Sequence, residues 1–514
     1  MSQRAARSCL AWLFAGVLLA SAPTTADSLD DMRRSGVLLW GADAVEGGAP
    51  YVFLEDPANT ESHVGFEVDL GNALARELGV KLKLVQNTWD SLVPGLLRGD
   101  YHIAMNGIEI TEERAKEVNF STPYFVAGEQ LVVRAESYEL NTLADLAGKK
   151  VGTLGGSVAE RILKNTAGIE VVSYGAQNAP YDDLALSRLD AVLMDTPIAV
   201  YFGKPNSKLR MAGASVGECQ YGVAIKKDDL RLLGEVNAAL ARLAQSGELR
   251  RIYEDWGLWN DPTARHLGDP RPSVAPAPRY DAYVKALTGE VTFWTRVKRY
   301  ASYLPLLLQG AWTSLYLSVA AMLLAIALGV ALAVSRLYGP RPLQLVAYAY
   351  VELVRGTPLL IQLYLLYYGL PNLGVEIPPI AAGILGLGLN YAAYEAENYR
   401  AGLQSVSAQQ MEAAVSLGLS SRQALRHVIL PQAVRVAIPS VTNDFIALLK
   451  DSSIVSVITI VELTNRSREL SANTFDYMGI GLLTAALYFL MGLPFASLAK
   501  RLERRMARYL RSAT

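Results

Sequence analysis

The four histidines of this 514-residue chain, His63, His102, His266 and His427, are scattered, with no metal-ligand spacing and no recognisable nucleophile–base partner. No G-x-x-x-x-G-K-[ST] phosphate loop occurs, and the nearest approach, AGKK at 147–150, lacks the leading glycine and the hydroxyl residue. Neither a catalytic residue nor a bound metal is expected. Residues 411–433, MEAAVSLGLSSRQALRHVILPQA, offer chemistry of another kind. Ala413, Ala414 and Leu417 fall at helical spacing, Gly418 interrupts them, Ser420 and Ser421 supply a fresh N-cap, and Pro431 closes a second amphipathic run. Two short helices joined at a glycine suit the gripping of a partner.

The elements that must position this segment are apolar. Lysine plus arginine (48) and aspartate plus glutamate (49) nearly cancel, which argues against a nucleic-acid partner. The balance hides a division, because beyond about residue 300 Leu, Ala, Val, Ile and Tyr dominate. LYLSVAAMLLAIALGVALAV (315–334) has 20 uncharged residues, a helix of ~30 Å and one hydrocarbon core. MGIGLLTAALYFLMGLPFASLA (478–499) is equally clear, and weaker spans at 343–370, 377–394 and 433–449 bring the expected number to five. Glu352, Arg355, Arg435 and Asp444 lie within the second and fourth. Charges there fit helices that line a path or dock a partner rather than face lipid.

Arg336 and Arg341 follow the first span, Arg400, Arg422 and Arg426 the third, and Lys500, Arg501, Arg504, Arg505, Arg508 and Arg511 the fifth. The loop PNLGVEIP after the second has neither Lys nor Arg. The positive-inside rule then places 411–433 and the C-terminus in the cytoplasm and residues 27–290 outside it. Arg466 and Arg468, after the fourth span, run against this trend.

Residues 1–26 carry Arg4 and Arg7, a short apolar run from Leu10 to Ala22, and small residues up to Ala26, the pattern of a secretory signal peptide. Its removal would leave Cys219 alone, excluding an intrachain disulfide and pointing to a buried structural thiol. From there to residue 268 the chain alternates helix-like and strand-like runs. VDLGNALARELG (68–79) has helical periodicity, and VKLKLVQ (80–86), KKVGTLGG (149–156), LDAVLMD (189–195) and QYGVAIKK (220–227) alternate as strands do. The pattern predicts an α/β domain with largely parallel sheets. DPRPSVAPAP (269–278) reads as a semi-extended spacer, within a Pro-rich linker at 269–290 that leads to the membrane domain at 291–514.

Glu412, Ala413 and Ala414, then Gly418, then V-I-L-P ending at Pro431, resemble the cytoplasmic EAA loop of ABC importer permeases. YVELVRGTPLLIQLYLLYYGLP (350–371), YAAYEAENYRAGLQSV (391–406) and NDFIALLKDSSIVSVITIVEL (443–463) are similar to its polar-amino-acid branch. The resemblance implies an all-α, five-helix transmembrane domain in the inner membrane, paired with a second permease chain, identical or closely related. It also implies a separate ABC ATPase subunit that holds the ATP, no cofactor being expected on this chain. Gly418 would allow the turn of a lever docked in the ATPase, and Pro431 would end that lever where the fourth span starts.

VGFEVDLGNALARELG, the run 89–125 and LDAVLMDTPIAVYF (189–202) resemble the amino-acid branch of periplasmic solute-binding proteins. This implies a type II fold at 27–268, two α/β lobes hinged near 128–133 and 219–225, with an amino acid as its small-molecule ligand. By position, Arg114 would clamp the α-carboxylate, Gly156 and Ser157 would add N–H donors, Asp195 would take the α-ammonium, and Trp89 would form an apolar wall, with Gly107 beside it. Plainer roles are open to each: an ion pair of Arg114 with Glu112 or Glu113, an N-cap for Asp195, core for Trp89. Glu109 stands where family members usually carry Thr or Ser. The loop 41–53 is longer than usual, placing Gly48 where a stacking aromatic is common and leaving Tyr51 as the substitute. With Asp43 nearby, the pocket is unusually acidic and the expected ligand is polar, with a cationic lean. The same two-lobed fold also serves ligand-gated channels, sensors, dehydratases and lyases. Against these stand the EAA loop, the missing filter or kinase segment and the missing triad.

Overall fold

The computed structural model describes residues 28–511, apart from 46, 47, 57, 60, 270, 274, 289–292 and 475. The expected signal peptide at 1–26 lies outside the described residues. Two five-stranded sheets build two lobes. In the first, Lys81–Gln86, Val37–Ala42 and Ile103–Ala104 run parallel, and Ala224–Lys226 and Val118–Phe120 continue the sheet antiparallel. In the second, the order is Leu209–Tyr221, Phe125–Arg134, Ala191–Asp195, Lys150–Leu154 and Glu170–Tyr174. Phe125–Arg134 runs against the other four, which share one direction.

Each sheet is therefore largely parallel, as expected, with one opposed strand, and the cause of that strand is the hinge. Phe125–Arg134 carries the chain into the second lobe and Leu209–Tyr221 carries it back, side by side and antiparallel, with Phe125 opposite Tyr221 and Ala127 opposite Cys219. A single excursion and return forces that orientation. The expected strand 220–227 divides here: Tyr221 closes the returning strand, and Ala224 opens a strand of the first lobe.

The second half of the expected linker is ordered. Pro278–Thr288 is a helix whose Tyr280 and Tyr283 rings lie 5.2 and 4.8 Å from the ring of Tyr201, while Phe53 sits 5.6 Å from Tyr283. Aromatic burial of this kind fixes the helix to the binding domain.

The C-terminal half is helical. Two helices, Arg296–Tyr338 and Tyr477–Arg501, are long and apolar enough to cross a membrane. Pro379–Gln404 and Leu430–Asp451 pack with the first around Leu317, Ala321, Ala325, Tyr391, Phe445 and Leu448. The expected second span is broken, into Arg341–Arg355 and a helix that starts at Leu359. Pro358 cannot donate a backbone N–H, and side chains mend the break: Thr357 Oγ1 donates to Leu353 O (2.9 Å) and Gln362 Nε2 to Val354 O (2.9 Å). Asp444 accepts from Asn398 Nδ2 at 2.7 Å, whereas Glu352 and Arg355 are exposed on the single chain.

Candidate ligand-binding site

Arg114 emerges from the short helix Glu112–Glu117, whose N-cap Thr111 accepts the Arg114 N–H. Its guanidinium pairs with neither Glu112 nor Glu113. Nη1 donates to the Glu109 carboxylate (3.1 Å) and to the Glu109 carbonyl (3.0 Å), and Nη2 reaches across the cleft to Gly156 O (3.0 Å). The other Glu109 oxygen accepts the Val158 N–H at 2.8 Å, at the N-terminus of helix Val158–Asn165. A guanidinium and a helix N-terminus converging on one carboxylate form an anion receptor. Here the carboxylate belongs to the chain itself.

The helix opening is otherwise committed. Gly156 N–H donates to Glu160 Oε2 (2.9 Å), and Ser157 caps the helix by accepting from Glu160 N. Gly156 thus meets Arg114 through its carbonyl rather than offering its amide as donor. Trp89, half-buried, donates Nε1–H to Gly155 O at 3.3 Å, with its ring 5.3 Å from the Arg114 guanidinium carbon. These bonds close the lobes on each other.

Asp195 ends the strand Ala191–Asp195 and precedes a single helical turn, which its side chain does not cap. It accepts from the Tyr221 hydroxyl, which lies 2.9 Å from the Tyr51 hydroxyl. Tyr51 is fully buried behind the site, its ring against Gly107. Gly107 has φ +65, and a Cβ there would lie 2.6 Å from the Tyr51 ring, so both shape and backbone require glycine. Its N–H donates to Glu67 Oε1 at 2.6 Å, and burial pushes the Glu67 carboxyl up to about 7. Asp43 accepts from Val45 N (3.0 Å), Trp89 N (3.0 Å) and Gln86 Nε2 (3.1 Å), bracing the loop beneath Trp89.

Three further groups escaped the sequence reading. Glu129 lies directly opposite Asp195 in the antiparallel pair, so both side chains share a face. Cys219 and Tyr221 come from the returning hinge strand. Glu109, Glu129, Asp195 and Cys219 bring their ligating atoms within 4.8 Å of one another, all buried. Burial, then mutual repulsion, raises the carboxyl pKa values of Glu129 and Glu109, and burial raises that of Asp195. The one signal for Glu129 in the sequence was that it is the single acid of FVAGEQLVVR, beside Gln130.

Both lobes rest on the helical half. Arg98 of the first lobe stacks 3.8 Å from the Tyr367 ring centroid and donates to the carbonyls of Tyr367 (2.7 Å) and Ile377. Tyr367 donates its hydroxyl to Asp100 at 3.0 Å. From the second lobe, Asn178 donates to the Tyr477 hydroxyl. Arg466 belongs to this junction, and it donates to Glu469 at 2.6 Å. Burial first, and Arg466 second, lower the His63 pKa to about 4.

At the far end, Ala408–Ser416 leaves Glu412 and Ala413 exposed and Ala414 buried. Gly418 follows at φ +90 with no atom near a Cβ, so conformation alone demands glycine. Ser420 and Gln423 form a reciprocal capping box. Pro431 does not end the second helix, contrary to expectation. Ser421–Ala424 widens over Leu425–Ile429 into a π-type turn and runs on as Leu430–Asp451, Pro431 being its second residue. The wider turn relieves the clash of the proline ring with the carbonyl four residues back, so the short helix and the fourth span are one continuous body.

Residues 44–258 match the family described as bacterial extracellular solute-binding proteins, family 3, and 325–508 match that of the binding-protein-dependent transport system inner membrane component. The chain is 38% identical over 199 residues to the probable glutamine ABC transporter permease protein GlnM of Bacillus subtilis, covering 39% of this chain and 92% of that protein. It is 33% identical over 231 residues to the L-cystine-binding protein TcyJ of Escherichia coli, 44% of this chain and 85% of that one. The holo ArgBP structure from T. maritima aligns at 35% identity over 44% of this chain and 99% of that chain, with a TM-score of 0.39. In one polypeptide, the chain belongs to the amino-acid solute-binding proteins through its first half and to the permeases of amino-acid ABC transporters through its second.

Proposed function

We propose that this chain captures an amino acid with a cationic side chain outside the inner membrane and forms half of the path that carries it to the cytoplasm. The carrying observation is the charge count at the site: among the described residues, buried Glu109, Glu129 and Asp195 face a single cation, Arg114. Buried carboxylates are retained only with a compensating charge or a proton, and a cationic ligand supplies that charge. Its α-ammonium meets Asp195, and its carboxylate displaces Glu109 from Arg114. The domain boundaries at 268 and 290, the outward-facing receptor and the cytoplasmic elbow belong to the same reading. So does a separate ATPase chain that grips Glu412, Ala413, Ala414 and Gly418. A second permease chain is supported by Glu352 and Arg355, whose exposure on a spanning segment calls for a protein neighbour. Calorimetry with a panel of amino acids tests the specificity. Arginine or lysine is expected to bind, and tight binding of aspartate or glutamate with none of arginine or lysine overturns it.

A further inference from the structure

The site has an anion half and a cation half, and the two stand in different states. In the anion half three donor groups are satisfied from within the chain: the Arg114 Nη1 and Nη2 by Glu109 and Gly156 O, the Val158 N–H by Glu109, and the Gly156 N–H by Glu160. The cation half lacks a cation. Glu129 is 0% exposed, and its carboxylate oxygens face the Asp195 carboxyl and the Cys219 thiol, with no cation or backbone N–H bonded to them among the described residues. Asp195, opposite it across the strand pair, accepts the Tyr221 hydroxyl. A zwitterion must evict Glu109 before its own carboxylate can bind. A ligand with no carboxylate need not.

We propose that Glu109 is a built-in substitute for the ligand carboxylate, so that the site takes, besides cationic amino acids, carboxylate-free primary amines, the class produced by decarboxylating amino acids. This rests on the reading that the pocket receives a cation. The ligating atoms of Glu109, Glu129, Asp195 and Cys219 lie within 4.8 Å of one another, close enough for one ammonium to reach several of them at about 2.8 Å. Burial and the neighbouring carboxylates also hold the Cys219 thiol protonated, a poor metal ligand.

Glu109 decides specificity by touching the same two groups that would hold a ligand carboxylate. Replacing it with the threonine usual in the family empties the anion half and restores the need for an α-carboxylate. The test is titration calorimetry on the full chain in nanodiscs, with arginine against agmatine, lysine against 1,5-diaminopentane, glutamate, and zinc alone. For the intact chain the amines are expected to bind as tightly as the amino acids or tighter. In Glu109→Thr the order inverts, the amino acids gaining at least about tenfold over the amines, a difference of about 1.4 kcal/mol. Arginine or lysine binding without either amine overturns this inference and leaves the cationic-ligand reading standing. Glutamate binding alone, or no binding by any of the four cations, overturns both. Zinc binding that is lost in Cys219→Ser reassigns the cluster to a metal and overturns the inference.

Discussion

The Arg98 guanidinium lies 3.8 Å from the centroid of the Tyr367 ring, joining the first lobe of the receptor to the last turn of the broken second span. Because Asn178 of the second lobe reaches Tyr477, each lobe has its own foothold on the helical half, and lobe closure changes the distance between the two. Arg98→Ala removes the stack and two carbonyl contacts. Ligand affinity is expected to stay within about twofold, because Arg98 is remote from Arg114 and Asp195, while ligand-stimulated ATP hydrolysis falls by about tenfold or more. Unchanged stimulation would show that the docking carries no signal.

The elbow should fail in a separable way. Gly418 has φ +90 and open space around it, so Gly418→Val strains the backbone by about 1–3 kcal/mol without a clash. Ligand binding is expected to survive and stimulation of the ATPase to be lost, as also in Glu412→Lys. Because the second helix is continuous with the fourth span, a change at the elbow is transmitted directly. A Gly418→Val protein with normal stimulation contradicts this.

Arg114 and Glu109 form a coupled pair. Arg114→Ala leaves the Glu109 carboxylate buried without its cation, and the domain is expected to lose about 2–4 kcal/mol. Adding Glu109→Gln removes the stranded charge, so the double variant should melt at a higher temperature than Arg114→Ala. Additive losses would separate the two residues.

Acidity should stabilise the ligand-free domain. Burial holds the Glu67 and Glu109 carboxyls up at about 7, and those of Glu129 and Asp195 above their ordinary range. Between about pH 4.5 and 7 the folded chain keeps protons that the unfolded chain has released, so stability falls as pH rises through that window. A cationic ligand needs the ionised carboxylates, so the thermal shift it produces should grow over the same range. A ligand-free melting temperature that rises from pH 5 to 7.5 would contradict the assignment.

The sequence was most legible where one residue type has one physical reason. The apolar runs, the glycine turn at 418 and the alternation that opens 81–86 needed no tertiary information, whereas 191–195 is buried at every position and does not alternate. Arg114 could be placed, but its partner could not: adjacent Glu112 and Glu113 looked nearer than Glu109, and only the turn at Thr111 brings Glu109 under the guanidinium. Glu129 stood out only as the single acid of its run, because its pairing with Asp195 depends on the strand opposite it. Pro431 reads as a stop in one dimension, and a widened turn can bypass it in three. Arg466 and Arg468, discordant by charge bias, lie on Leu463–Thr474, where Glu469 and the Ser456 hydroxyl receive them.

The account is tested most directly by uptake into proteoliposomes that carry this chain with its ATPase, with labelled arginine outside and ATP sealed inside. Accumulation that requires internal ATP and is abolished by Glu412→Lys is the predicted result. Ligand-evoked ion current without an ATPase, or accumulation that proceeds equally without ATP, would contradict it.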